Sequence, residues 1–289
     1  MSVGTILSIQ RFCTDDGPGI RSTVFMKGCP LRCLWCHNPE SQKEAPEVFC
    51  DTAKCIVCGG CKDVCKNGCH TVDARHYFSF ENCSTCGKCI DSCTSGAIGI
   101  YGKKISADEV FAEILRDKIF YDTSCGGVTL SGGEPLFQPD FSADILRLCR
   151  DVGIHTAIET CGFSDERSLI SVVNLCDTVL FDIKETDEER HKHYTGSSFK
   201  TIFKNLSIIN DLGIPFIIRA PIIPTVNDRA SHFEKLKHIS KQMKFCGGVQ
   251  IMPYHNIGTH KYESLGRKYE CESINVPSTA SLNKWKSIF

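Results

Sequence analysis

The chain has 289 residues, 42% of them hydrophobic and 23% charged, which is enough to bury a core and excludes a disordered chain. Its 33 Lys and Arg against 34 Asp and Glu leave a net charge of −1, which removes the electrostatic basis for binding nucleic acid. No apolar run reaches the roughly 18 residues of a membrane span, and MSVGTILSIQRF lacks the charged start and long apolar stretch of an export signal, so a cytoplasmic location without membrane contact is expected.

Taken along the chain, Thr23–Met26 predicts a first strand. Residues 45–100 then carry dense Cys and Gly with no long periodic segment, the composition of a small metal-stapled insert. Ala107–Arg116 predicts an amphipathic helix with Val110, Phe111, Ile114 and Leu115 on one face. Gly127–Leu130 predicts a strand running into the Gly132–Gly133 turn, Phe141–Arg150 a helix stopping at Gly153, and His155–Ile158 the next strand. Leu169–Leu175 predicts a helix, Thr178–Ile183 a buried strand, and Lys200–Leu212 a helix that Gly213 can cap. Pro215–Ala220 predicts a strand, Ala230–Met243 a helix and Gly248–Met252 a final strand. Past Tyr269 the pattern is polar and irregular, with one helix at Thr279–Phe289.

This makes about six βα units, the pattern of a parallel sheet or barrel. Outside the insert about 230 residues remain, short of the ~250 of a full eight-unit barrel. The expected fold is α/β, a partial (β/α)6 TIM-like barrel from residues 1–44 and 101–289 with residues 45–100 inserted. Polar residues gather just after the strands, at Gly132–Glu134, Glu159–Thr160, Asp182–Lys184, Arg219 and Pro253–His255. The C-terminal ends of parallel strands are where active sites form in such folds.

The unusual number is 20 cysteines. Ten lie between Cys50 and Cys93, and three more are Cys29, Cys33 and Cys36. Disulfide scaffolds are short secreted domains without a core, so metal binding is the better reading. Cys55-x2-Cys58-x2-Cys61-x3-Cys65 recurs as Cys83-x2-Cys86-x2-Cys89-x3-Cys93, the spacing of bacterial two-cluster ferredoxins. The fourth Cys of each run crosses over in that pattern. Cys55, Cys58, Cys61 and Cys93 are thereby assigned to one [4Fe–4S] cluster, and Cys65, Cys83, Cys86 and Cys89 to another. Lys66 and Thr94 stand where ferredoxins carry Pro. Cys50 and Cys69 are expected to be structural, and His70 and His76 to lie on the surface.

Cys29-x3-Cys33-x2-Cys36 offers only three thiolates, which on a metal centre leaves one position open. With Asp16-Gly17-Pro18-Gly19-Ile20-Arg21, Ser131-Gly132-Gly133-Glu134-Pro135, Phe181-Asp182-Ile183-Lys184 and Met252-Pro253-Tyr254-His255, it resembles the radical S-adenosylmethionine superfamily. The DGPGIR segment resembles in particular the glycyl-radical-enzyme activating enzymes. The resemblance implies that a third [4Fe–4S] cluster on Cys29, Cys33 and Cys36 binds S-adenosylmethionine at its open iron. It further implies a 5′-deoxyadenosyl radical that takes a Cα hydrogen from a glycine of a partner glycyl radical enzyme. A flavodoxin- or ferredoxin-type electron donor and a monomeric chain are expected with it.

The resemblance also implies roles for single residues. Trp35, His37, Gly132, Gly133, Glu134, Asp182, Ile183, Lys184, Arg219 and His255 are cofactor-binding candidates, and Asp16 is the candidate contact to the partner's glycine loop. For Gly132 and Gly133 the bland alternative is a tight turn, for Glu134 a helix cap, and for Asp182 with Lys184 an ion pair on one side of a strand end. Glu159 stands at a monovalent-cation site that the pyruvate formate-lyase activator builds with Asp, one methylene shorter. His191 and His193 are expected on a solvated helix face. Two further readings are a radical enzyme acting on a small molecule, which DGPGIR disfavours, and an iron–sulfur electron carrier, which has no use for the strand-end motifs.

Overall fold

The computed structural model describes residues 1–289. In chain order its strands are β1 (Val3–Cys13), β2 (Arg21–Met26), β3 (Glu47–Cys50), β4 (His70–Val72), β5 (His76–Phe78) and β6 (Ile98–Tyr101). They continue with β7 (Lys103–Ser106), β8 (Gly127–Gly132), β9 (His155–Thr160), β10 (Thr178–Asp182), β11 (Phe216–Ile222) and β12 (Cys246–Pro253). One sheet of eight strands runs β12-β11-β10-β9-β8-β2-β1-β7. From β2 to β12 every neighbouring pair is parallel, which gives the six parallel strands expected of the βα pattern.

The expected first strand is therefore the second. β1 pairs antiparallel with β2, and β7 antiparallel with β1, extending the edge beyond the βα units. Two register shifts, between Ile6 and Ser8 and between Gln10 and Cys13, break the period-two pattern of β1 and hide it from a reading by alternation. The helices fall where expected, with ends displaced by their caps. Pro139 sits in the first turn of Pro139–Asp151, and Asp165 caps Glu166–Val173 by accepting from Ser168 N at 3.0 Å. Leu115 is exposed, so the inward face of Ala107–Leu115 is carried by Val110 and Ile114.

The parallel strands divide their side chains by face. Val24, Leu130, Ile158, Ile218 and Ala220 join the main core under the helices. The alternate positions Thr23, Thr129, Glu159 and Arg219 turn to the opposite face. A sheet covered by helices on one side thus keeps a polar surface on the other. Near the C-terminus, Thr259–Ser264 forms a helix that periodicity did not indicate, and Thr279–Lys286 buries Trp285 beside Phe233 of Ala230–Gln242. No helix is long and apolar enough to cross a membrane.

Residues 47–101 stand apart from the large sheet. β3 pairs with β6, β4 pairs with β5, and Val48, Cys50, Cys61, Cys89 and Ile98 form a small core of their own.

Candidate active site

The loop carrying Cys29, Cys33 and Cys36 begins where β2 ends. Gly28 turns the chain at φ +104°, and a Cβ there would meet the Phe137 ring at 2.5 Å, so the turn admits only glycine. Backbone hydrogen bonds pin the loop from two sides. Gly28 N donates to Ser41 O at 2.7 Å and Arg32 N to Thr195 O at 2.7 Å. The Tyr262 hydroxyl donates to Cys36 O at 2.9 Å from the C-terminal segment. All three cysteines line one cavity of about 370 Å³. Burial pushes the Cys33 thiol up to about 12 and those of Cys29 and Cys36 upward as well. Three soft donors held this way lose their protons only to a positive centre such as a metal, and three leave a coordination position open.

Strand ends supply the rest of the cavity wall. Gly132 and Gly133 line it, yet their missing side chains serve the backbone. A Cβ on Gly132 would lie 2.3 Å from Met26 N, and one on Gly133 would lie 2.2 Å from Gly28 O. Asp182 and Lys184 also line it and are ion-paired at 2.9 Å, which keeps Lys184 protonated. His37 and His255 stack with ring centroids 3.7 Å apart. Burial and the neighbouring ring push His37 down to about 4, and burial lowers His255 too, so both rings are neutral. Nε2 of His37 and Nδ1 of His255 are buried without a protein partner. Unmet polar atoms beside three cysteines suit a polar ligand bound at a metal.

Not every expected residue reaches this cavity. Glu134 caps the turn Pro135–Phe137 by accepting from Leu136 N at 3.0 Å, and it also accepts from Thr160 Oγ1 at 2.6 Å and Cys161 N at 2.8 Å. Its side chain is taken up by the scaffold, as the cap alternative has it, and does not line the cavity expected of it. Ile183 lies in the hydrophobic core, away from the cavity expected of it. Arg219 lies behind the wall, 2% exposed, with Nη1 2.7 Å from Glu159 Oε1 and Nε 3.1 Å from Gln250 Oε1. Glu159 lines the cavity and also accepts from Ser131 Oγ at 2.5 Å. Burial would raise its pKa, but Arg219 and Ser131 outweigh that and hold it below the usual carboxylate value. The positive charge beside Glu159 is thus the guanidinium of Arg219.

Asp16 lies on the far side of Arg219, with Oδ1 3.7 Å from Nη1, and accepts from Thr23 Oγ1 at 2.6 Å. Trp35 is buried and lines the cavity. Cys161 and Tyr254 line it too without having been singled out. The signal for Cys161 was its place directly after Glu159–Thr160 at the end of β9. His191 is fully buried, bonded to Ser197 O at 2.7 Å, contrary to the solvated face expected of it; His193 is exposed.

In the insert, the two cysteine runs fold alike. Val57 and Thr85 share φ +56°, Gly59 and Gly87 follow at +82° and +79°, and each run then enters a short helix. Cys55, Cys58, Cys61 and Cys93 line one cavity, while Cys65, Cys83, Cys86 and Cys89 line another of about 160 Å³. Cys69 lines the second as well, and Cys50 lines neither. His70 and His76 are buried between them, where a surface position was expected.

Comparison with known proteins gives this geometry a family. The radical SAM superfamily model matches residues 23–236. The trans-4-hydroxy-L-proline dehydratase activating enzyme of Clostridioides difficile is 41% identical, over 98% of this chain and 95% of its own. The choline trimethylamine-lyase activating enzyme of Oleidesulfovibrio alaskensis is 38% identical, over 96% of this chain and 92% of its own. The crystal structure of a radical SAM methyltransferase from Sphaerobacter thermophilus covers 98% of this chain and 73% of that chain with a TM-score of 0.50 and 13% identity, a likeness of fold. The family implies a [4Fe–4S] cluster and S-adenosylmethionine, and the three thiols with the free imidazole nitrogens are donors suited to both. A matched domain over most of the chain and relatives near 40% identity establish that this chain belongs to the radical SAM superfamily, among its glycyl-radical-enzyme activating enzymes.

Proposed function

We propose that this chain installs a glycyl radical in a partner enzyme of the kind its relatives activate. When bound, the reduced cluster and S-adenosylmethionine supply, for one electron, methionine and a 5′-deoxyadenosyl radical, which leaves as 5′-deoxyadenosine after taking a Cα hydrogen from the partner's glycine. The observation that carries this reading is the convergence of Cys29, Cys33 and Cys36 with the strand-end residues Asp182, Lys184 and His255 on one cavity.

In this reading Cys29, Cys33 and Cys36 would hold the cluster, three thiolates for its four irons. His37 and His255 would offer their free nitrogens to the polar groups of S-adenosylmethionine, and protonated Lys184 would suit its carboxylate. Glu159, fixed by Arg219, lines the same cavity. Trp35 and Tyr254, both buried, keep water from the reacting atoms. Asp16 belongs to the loop that receives the partner's glycine segment, and Arg219 joins that loop to Glu159.

Residues 45–100 form, in the same reading, a ferredoxin-like domain with two further [4Fe–4S] clusters, one on Cys55, Cys58, Cys61 and Cys93 and one on Cys65, Cys83, Cys86 and Cys89. The separation of those cysteines into two cavities supports the crossed assignment. Cys58 and Cys86 are exposed, which suits electron entry from a flavodoxin- or ferredoxin-type donor to a monomer in a reduced cytoplasm.

The test is anaerobic. Reduced protein with S-adenosylmethionine is mixed with the enzymes its relatives activate, and EPR is recorded. A glycyl doublet in one partner supports the reading, and its absence with every partner sinks it. Cys36→Ala abolishes S-adenosylmethionine cleavage, whereas Cys86→Ala leaves its binding intact.

A further inference from the structure

Between the two four-cysteine cavities of the insert lies a polar chain with no part in the chemistry above. His70 opens β4 and His76 opens β5, and they are only 4% and 6% exposed. His76 lines the cavity of Cys55, Cys58, Cys61 and Cys93, and His70 lines that of Cys65, Cys83, Cys86 and Cys89. The two rings meet, with His76 Nε2 2.9 Å from His70 Nδ1. At the other end His76 Nδ1 lies 3.4 Å from Sγ of Cys50, which belongs to neither run, and 3.5 Å from Sγ of Cys55. Nε2 of His70 is buried without a partner in the protein.

A neutral imidazole carries one N–H and one bare lone pair, so the bond between the rings can run in two directions. If His70 donates, His76 Nδ1–H can turn to Cys55 Sγ at 3.5 Å, but His70 Nε2 becomes a bare acceptor with no donor in the protein, the Cys50 thiol finds no acceptor, and Cys61 Sγ at 3.8 Å faces a nitrogen without a hydrogen. If His76 donates, Cys50 S–H donates to His76 Nδ1, His76 Nε2–H to His70 Nδ1 with Cys61 Sγ also 3.8 Å away, and His70 Nε2–H is left without a protein partner at the cavity of Cys65, Cys83, Cys86 and Cys89. In that chain Nδ1 of His76 stands against Cys55, and His70 Nε2–H lacks a partner in the protein, which sulfur of a bound cluster would supply. Burying an unmatched polar atom is costly, so the second direction prevails.

We propose that His70 donates an Nε2–H···S hydrogen bond to the cluster held by Cys65, Cys83, Cys86 and Cys89, and that Cys50 and His76 fix its direction. The proposal rests on the two-cluster reading and deepens it. A hydrogen bond to cluster sulfur favours the reduced, more negative state and raises its potential. His70 thus raises one auxiliary cluster, and the other has only His76 beside it, with Nε2 3.8 Å from Cys61 Sγ.

The test uses the full chain with Cys29, Cys33 and Cys36 replaced by alanine, reconstituted with iron and sulfide, so that only the insert's clusters respond in an EPR-monitored redox titration. His70→Leu lowers one midpoint, so that at fixed potential the reduced-to-oxidised ratio of that cluster falls about tenfold, ~59 mV for a one-electron couple. The signal that moves is the one lost in Cys86→Ala. His70→Gln, which keeps an N–H donor, restores most of the shift. In the unsubstituted holoenzyme labelled with 15N-histidine, the same reduced cluster shows a 15N hyperfine coupling that disappears in His70→Gln. Unchanged midpoints in His70→Leu, equal shifts in the Leu and Gln variants, or a coupling on the cluster of Cys55, Cys58, Cys61 and Cys93 instead would overturn the assignment. Should His70→Leu fail to assemble its clusters, the 15N coupling decides alone. Iron and sulfide in the unsubstituted protein at the level of one cluster per chain, against three, would defeat the two-cluster reading itself.

Discussion

Removing the guanidinium of Arg219 strands a buried carboxylate. In Arg219→Met the apolar stem is kept, but Glu159 loses its partner at 2.7 Å and retains only Ser131 Oγ at 2.5 Å. Leaving one member of a buried ion pair uncompensated costs about 3–5 kcal/mol, a fall of about 10 °C in apparent melting temperature. Glu159→Gln costs less, about 1–2 kcal/mol, because Arg219 still has Asp15 O, Gln250 and Asp16. The double variant carries no stranded charge and is therefore more stable than Arg219→Met alone. The assay is anaerobic thermal unfolding of the four reconstituted proteins at one scan rate, forming a double-mutant cycle. Single-variant costs that simply add in the double variant would refute the pairing, as would Arg219→Met at the parental melting temperature.

Three further outcomes follow from other contacts. Glu185 is fully buried, and although burial alone would raise it, His232 and Arg229 hold it well below the ordinary carboxylate value of 4.5. Its contribution is complete above that value and lost as pH falls below it, at about 1.4 kcal/mol per pH unit; in urea unfolding below pH 4.5, Glu185→Gln has a slope shallower by that amount. Gly133→Ala places a Cβ 2.2 Å from Gly28 O, immediately before Cys29, so the cluster at Cys29, Cys33 and Cys36 is retained poorly, as measured by iron content and EPR. Tyr262→Phe removes the hydrogen bond to Cys36 O, about 1 kcal/mol, and chelator strips that cluster about fivefold faster.

Some of these contacts were legible before any coordinates, and others were not. Periodicity located the six parallel strands because their buried side chains recur at fixed intervals, but β1 escaped notice because two register shifts interrupt its alternation. Glu134 stood equally for a cap and for a ligand contact until Leu136 N, Thr160 Oγ1 and Cys161 N were seen converging on it. His70 and His76 sit among polar residues and read as surface, since nothing local reveals that two cysteine runs close around them.

By itself the sequence determined the family, the βα succession and the three-cysteine motif, all of which depend on residue type and short spacing. Tertiary structure alone decided which charges meet: Arg219 takes Glu159 across 60 positions of chain, and His76 joins Cys50 to His70 between two cavities. Such pairings depend on where strands lie in the sheet and which face each side chain takes. Spacing along the chain carries neither piece of information.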